Sequence, residues 1–360
     1  MIDHVIIMAG GAGTRLWPVS KNNKPKQFMK IGGEDSLITS TIKRAFALKH
    51  RGYIIVITHI DHLKPALIEC SKLPEEMRQR IVILPEPHAR NTAPALTLAA
   101  QWLKWKGEEN SSVIVLAADH IINDTVAFIE SVDQASQLSD REKIVSFGIP
   151  PLTAETGYGY IETGEPYNPG LLVTSFKEKP DKKTAVQFLS AGNYYWNSGM
   201  FVYSIALFLT ELERLTPEVA LPFKKLKFSE NHFEKKDSLE YLKLTDNIEP
   251  LYRTMTKISI DYALMEKSDK IGMIEAGFDW NDVGSWDVVS EIDKSYKDIT
   301  SIEAKNNFVY GEEMQVTFCG VNDLIVVIDE GNLMICRKGK SQLVKDAVEE
   351  LKGQNRTELF

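Results

Sequence analysis

Residues 8 to 28 read MAGGAGTRLWPVSKNNKPKQF, a stretch that crowds three glycines, a Thr-Arg pair, two prolines and four cations together. Gly10, Gly11 and Gly13 leave backbone N–H groups uncovered. Beside them stand the Thr14 hydroxyl and the Arg15 guanidinium. Bare amides next to a planar, always-charged fork form a cradle for a polyphosphate. Lys26, at the far end of the loop, adds a compact point charge, unless it is simply a solvated surface lysine. Two common phosphate loops are excluded. A dinucleotide fingerprint needs a third glycine where Leu16 stands, and an acid after the second strand, where the chain has Thr58-His59. A P-loop needs Gly-Lys-Ser/Thr running straight into a helix, and Pro18 and Pro25 keep this segment extended.

Charge placement agrees. From its start to Lys30 the chain carries Arg15, Lys21, Lys24, Lys26 and Lys30 against Asp3 alone, a local +4 on a chain of net −8. A basic island on an acidic protein points to a local anionic ligand. The overall acidity argues against nucleic acid as partner. A second candidate lies in LAADH (116–120), where Asp119 closes an apolar run. A carboxylate there can hold a divalent cation or serve as an ordinary turn or helix cap. His59 and His62 flank Asp61 without further ligands, so no metal site is expected there. No Ser-His-Asp or Cys-His set stands out.

These groups need a scaffold. HVIIMAG, YIIVITH, RIVILPE, SVIVLAADH and KIVSFGI are β-branched runs of buried-strand length, and helical patterns separate them. One helix is predicted around Ile38, Ile42, Ala45, Phe46 and Lys49, another over 94–106 with Asn91 or Thr92 as cap. Alternation of this kind predicts an α/β domain with a mostly parallel sheet, whose ligands sit at the carboxyl ends of the strands. The loop at Gly10 and the Asp119 turn then share one crevice. Residues 158–287 read as mixed strands and helices, with surface helices expected over the Lys/Glu-rich 216–250. Beyond Trp286, short strands punctuated by glycine precede a helix at 341–352. The expected division is a catalytic domain over 1–289 and a small β-rich domain over 290–360. The chain's 360 residues can bury a large core, and its three scattered cysteines and lack of a long apolar segment predict a cytoplasmic protein without disulfides or membrane span.

GGAGTRLWP…KPKQF resembles the signature of the sugar-nucleotide pyrophosphorylases. The likeness continues through PEPHARNTAPA (85–95), LAADH, ETGYGYIE (155–162), FKEKP (176–180), YYWNSGMFVY (194–203), SIDYALMEK (259–267), FDWNDVGSWD (278–287) and the tail around NDLIVVIDEG. It covers nearly the whole chain, in the family's order. LWP and PKQF resemble the branch that makes GDP-mannose. The resemblance implies a Rossmann-like nucleotide-diphospho-sugar transferase (GT-A-like) fold, a mixed sheet flanked by helices, with a left-handed β-helix-like C-terminal domain. It implies GTP and mannose 1-phosphate as substrates, Mg²⁺ as cofactor, a homodimer and no isomerase domain.

By the same resemblance Asp119 and Asp282 bind the metal, and Arg15 and Lys26 bind the triphosphate along Gly10, Gly11, Gly13 and Thr14. For the base, a guanine needs acceptors for its N1–H and N2 amine or donors to O6, and Glu86, Asn91 and Thr92, on the loop after the third strand, can supply these. Gly157, Tyr158, Gly159, Glu178, Lys179 and Asn197 take the sugar phosphate. Tyr194, Tyr195 and Trp196 either stack on the sugar or belong to the core. The nucleophile would be a phosphate monoester, whose second pKa of about 6 leaves it mostly ionised at neutral pH, so no general base is needed. Two other readings stay open: a relative using another nucleotide or sugar, and a non-catalytic regulatory subunit on the same fold. Ala118, where the family usually has Pro, and Ser20-Lys21-Asn22, where an Arg is common, depart from the pattern.

Overall fold

A computed structural model describes every residue except 12, 49, 245–247, 357, 358 and 360. Ala12 of the glycine-rich stretch and Lys49 of the first predicted helix thus lie outside the described residues. The chain forms β1 (His4–Ala9), β2 (Ile54–His59), β3 (Ile81–Glu86), β4 (Ser112–Ala117), β5 (Ile144–Ile149), β6 (Tyr160–Tyr167), β7 (Gly170–Lys177), β8 (Tyr194–Ser204), β9 (Phe233–Lys236), β10 (Leu239–Leu242) and β11 (Ile271–Glu275). All eleven join one sheet in the order β5-β11-β7-β6-β8-β4-β1-β2-β3-β10-β9.

The block β4-β1-β2-β3 is parallel, in the register Val5 with Ile54 and Ile114. Side chains alternate across a strand, so two cores form. Ile6, Ile55, Val82 and Val113 face the helix Thr92–Trp105. Val5, Ile7, Val56 and Ile114 face the helices Leu37–Ala47 and Thr125–Ser139. Burial on both faces is why these strands read as unbroken apolar runs. β8 pairs antiparallel with β4, β5 and β6, which makes the sheet mixed.

Helices Pro217–Lys224 and Ile248–Thr254 occupy part of 216–250, as expected. Between them, however, lies a hairpin that extends the sheet edge. Asp237 and Ser238 both adopt positive φ, the geometry of a tight two-residue hairpin loop, and Leu239 and Leu242 anchor the second strand in the core. Charged partners on an edge strand had hidden it, because edge strands tolerate Lys and Glu on their exposed face.

After the helix Trp286–Ile292, inside which the expected boundary at residue 289 falls, come β12 (Ile299–Ile302), β13 (Phe308–Gly311), β14 (Val316–Cys319), β15 (Leu324–Asp329) and β16 (Asn332–Arg337). β12 pairs with β14 and β13 with β15, both parallel and both with the same sequence offset, Ile299 against Val316 and Phe308 against Ile325. Left-handed backbone recurs with that offset, at Glu303 and Gly320 and at Asn306 and Asp323. The side chains stack accordingly: Asn306 Nδ2 donates to Asp323 Oδ1 at 2.6 Å. This is a coil of two turns, too short to show as a repeat in sequence. The final helix, Leu343–Gly353, lays Val344 and Val348 against Leu16 and Trp17 of the glycine-rich loop.

Candidate active site

The site lies where β1 and β4 end. The loop after β1 turns through Gly11 and Gly13, both at positive φ. A side chain on Gly13 would meet Lys26 Cβ at 2.7 Å and Ser20 Oγ at 2.8 Å, so glycine lets the two ends of the loop close on each other. Gln27 Nε2 donates to the carbonyl of Ala9 at 2.9 Å and pins the far end to the strand. Between these anchors Lys26 is buried, and its ammonium enters the crevice. Among the described residues none accepts a hydrogen bond from the N–H groups of Gly10, Gly11, Gly13, Thr14 or Arg15.

Lys26 Nζ donates to Asp119 Oδ2 at 2.8 Å and also to the carbonyl oxygen of Asp282. Asp119 through its carboxylate and Asp282 through its backbone carbonyl, far apart in sequence, thus meet at one lysine. Burial opposes the Asp119 charge, but Lys26 and His120 outweigh it and hold the carboxyl below its ordinary pKa, so it is ionised at neutral pH. Tyr158 donates to Asp282 Oδ1 at 2.9 Å. Burial and the Asp282 charge push the phenol pKa up, which keeps it a neutral donor. Its ring sits edge-on between Trp196 and Trp280, at 5.2 and 5.4 Å. Trp280 Nε1 in turn donates to His120 Nδ1 at 3.1 Å.

A cleft of 220 Å³ opens beside this cluster. Gly157, Tyr158, Gly159, Glu178, Lys179, Asn197, Thr92 and Asp282 all line it, together with Trp280 and Asp261. A Cβ on Gly159 would lie 2.6 Å from Glu178 Oε2 and would push that carboxylate aside. Lys179, at positive φ, is exposed and pairs with Glu178. Asn197 accepts from Ser146 Oγ at 3.0 Å and from Gly199 N–H at 3.1 Å through Oδ1.

Other expected residues stand elsewhere. Arg15 is exposed and pairs with no described residue, though its charge is felt at the Tyr158 hydroxyl. Thr14 is half-buried against the C-terminal helix. Asn91 is exposed, and its side chain accepts from Thr92 N–H as the cap of the helix. Glu86 does not line the cleft: burial raises its carboxyl pKa to about 8 beside Tyr252, and Oε1 has no hydrogen-bond partner among the described residues. Tyr194 stacks on Phe188 at 4.1 Å and Tyr195 bonds Glu275, so of the three clustered aromatics only Trp196 supports the cleft, through Tyr158.

The basic island divides. Lys21 pairs with Asp329 at 2.9 Å and Glu330 at 2.6 Å, and Lys24 reaches Asp329 at 3.7 Å. Acids of the C-terminal coil therefore neutralise part of the charge that the sequence attributed to a ligand. Asp261 and Trp280, which also line the cleft, lie in SIDYALMEK and FDWNDVGSWD, but no spacing there marks them.

A profile described as nucleotidyl transferase matches residues 4–299, and one described as MannoseP isomerase/GMP-like beta-helix domain matches residues 297–351. Mannose-1-phosphate guanylyltransferase 2 of Escherichia coli O157:H7 is 35% identical over 98% of this chain and 74% of its own length. The chain belongs to the mannose-1-phosphate guanylyltransferase family of nucleotidyl transferases. Another relative in this family, mannose-1-phosphate guanylyltransferase RfbM of Salmonella typhimurium, is 36% identical over 98% of this chain and 73% of its own. A crystal structure described as mannose-1-phosphate geranyltransferase from Thermus thermophilus superposes with a TM-score of 0.83 at 26% identity, covering 98% of this chain and all of that one. The two profiles thus cover in turn the nucleotidyltransferase sheet and the β-helix-like coil of this chain. No helix among the described residues is long and apolar enough to cross a membrane.

Proposed function

We propose that this protein transfers the guanylyl group of GTP to mannose 1-phosphate, giving GDP-mannose and pyrophosphate. The observation that carries the reading is the meeting of Lys26, Asp119 and Asp282 at the edge of a cleft with hydroxyl acceptors on its far wall. The activity for which the relatives are named supports the choice of sugar and nucleotide.

The chemistry follows from the charges. A sugar-phosphate oxygen, already ionised, attacks the α-phosphorus in line, and pyrophosphate leaves. Bringing two polyanions together is the obstacle, so positioning and charge neutralisation do the catalysis. The amides of Gly10, Gly11 and Gly13, which no described residue engages, would hold the triphosphate together with Arg15. Lys26 would turn from Asp119 toward the α-phosphate. Lys179 would leave Glu178 for the sugar phosphate, and Glu178 would then accept from sugar hydroxyls.

No group of three or more His, Cys, Asp or Glu is placed for a metal among the described residues. Asp119 and Asp282 fit Mg²⁺ all the same. Magnesium takes one or two protein carboxylates and completes its shell with water and substrate phosphate oxygens. When bound it would screen the phosphate charges. Tyr158, donating to Asp282 Oδ1, leaves the second oxygen of that carboxylate for the ion.

Pyrophosphate release with Mg²⁺ tests the reading across GTP, ATP, dTTP and UTP, each with mannose 1-phosphate and with glucose 1-phosphate. Release concentrated on GTP with mannose 1-phosphate is expected. A different preferred pair would keep the mechanism and change the substrates. Nucleotide binding without release from any pair would replace the enzyme by a binding subunit.

A further inference from the structure

The segment 258–266 ties the two sides of the cleft together. Ile258 N–H donates to the Arg90 carbonyl, and Ile260 N–H to Thr92 Oγ1 at 2.8 Å, on the side of the β3 loop. Glu266, at the other end of the segment, accepts from Glu178 N–H at 3.0 Å, on the side of the Glu-Lys-Pro turn. Between these ties Asp261 opens a single π turn over Asp261–Met265, and it lines the cleft.

Two neighbours fix what Asp261 can do. The Asn197 amide has one orientation, because its Oδ1 accepts from both Ser146 and a backbone N–H. Its Nδ2 therefore points at Asp261 Oδ1, 3.1 Å away. That bond uses one N–H of Asn197 and one lone pair of Asp261, and a carboxylate offers about four such positions. The second neighbour is Glu178, whose carboxylate occupies the space beside Gly159. Burial, then the Glu178 charge, raises the Asp261 carboxyl to about 6. Lys179, drawn to Glu178, is the one lysine or arginine among the described residues of this wall. Two carboxyls and an oriented amide facing the cleft form a receptor for adjacent hydroxyl groups.

We propose that Asp261 is a sugar-specificity residue, acting with Glu178 as a pair of acceptors for hexose hydroxyls while holding Asn197 at a fixed angle to them. The proposal rests on the sugar-phosphate reading of the same cleft. It assigns Asp261 to the sugar alone, so its loss is felt by one substrate and not the other.

The test is steady-state kinetics of the full chain, wild type against Asp261→Ala, with mannose 1-phosphate and its 2-, 3-, 4- and 6-deoxy analogues. Loss of a hydrogen bond to a charged group is expected to raise KM for mannose 1-phosphate about tenfold or more. KM for GTP should stay within about twofold, the margin for an indirect effect. The penalty the wild type imposes on one particular deoxy analogue should shrink in the variant, because the partner of that hydroxyl has gone. An unchanged sugar KM, or an equal rise for the parent sugar and every analogue, overturns the proposal. If Asp261→Ala does not fold, Asp261→Asn keeps the shape and undergoes the same comparison. If the wild type prefers a different sugar phosphate, the proposed function fails, and Asp261 is judged on the sugar that works. Turnover with no pair at all overturns both.

Discussion

The two walls of the cleft are built on opposite electrostatic plans. On the phosphate wall a buried cation organises the acids: Lys26 meets Asp119 and the Asp282 carbonyl, and Tyr158 meets the Asp282 carboxylate. On the sugar wall Glu178 and Asp261 crowd together, with Lys179 paired to the first and Asn197 to the second. The first wall suits a ligand that brings charge and a cation. The second suits a ligand that brings O–H groups, with Lys179 at hand for its phosphate. On the proposed reading the first side would take the triphosphate with its cation, and the second the sugar phosphate.

The largest effect should come from the lysine that organises the phosphate wall. Lys26→Ala removes a preorganised charge, and turnover in the pyrophosphate-release assay should fall about a hundredfold. Sugar KM should move little. Unchanged turnover would reduce Lys26 to a structural tie for Asp119.

Next comes the metal half of that wall. Asp282→Asn is isosteric and still accepts from Tyr158, but it lacks the negative charge. A Mg²⁺ titration should show a weaker midpoint and turnover lower by about tenfold or more, while nucleotide binding measured without metal partly survives. A wild-type Mg²⁺ dependence in this variant would remove Asp282 from the metal.

The sugar wall is probed most cleanly at Gly159. A methyl there would contact Glu178 Oε2 at 2.6 Å and displace it, with no left-handed backbone to strain. Gly159→Ala should raise KM for mannose 1-phosphate about fivefold to tenfold, the cost of weakening one charged hydrogen bond. KM for GTP should hold. If both rise together, the two walls are not independent and the comparison fails.

Much of the phosphate wall was legible in the sequence because its parts are local. The glycine turn and Asp119 each sit at the end of an apolar run whose length marks a parallel strand, and Lys26 closes the loop that the first of them opens. Asp282 carried no such mark and entered through resemblance alone. The sugar wall was harder to read. Asp261 owes its importance to Asn197 and Glu178, both distant in sequence, and to a π turn that no periodicity announces. The β9–β10 hairpin was missed because a charged edge strand resembles a surface helix. Lys21 is hard to read for the opposite reason. Its partners, Asp329 and Glu330, lie near the other end of the chain, and only the packing of the C-terminal coil on the loop shows that its charge is spent inside the protein.

Glu86 sharpens the contrast with Asp261, since both are acids whose pKa burial has raised, one outside the cleft and one in it. The Glu86 carboxyl titrates near 8 in the folded chain against an ordinary 4.5. Protonation is thus favoured by folding. The stability this contributes is complete below 4.5, declines as the unfolded chain ionises, and is gone once pH has risen through 8. Wild-type Tm should therefore fall between pH 5 and pH 9, as a buried group is forced to carry charge beside Tyr252. Glu86→Gln cannot ionise, so its Tm should fall less over the same range, with KM for both substrates near wild type. The measurement is thermal unfolding of both proteins at several pH values, paired with the kinetic assay. A selective rise in KM for GTP would instead mean that the Glu86 carboxyl reaches the base, and the nucleotide side would then contain a buried acid serving the same purpose as Asp261 on the sugar side.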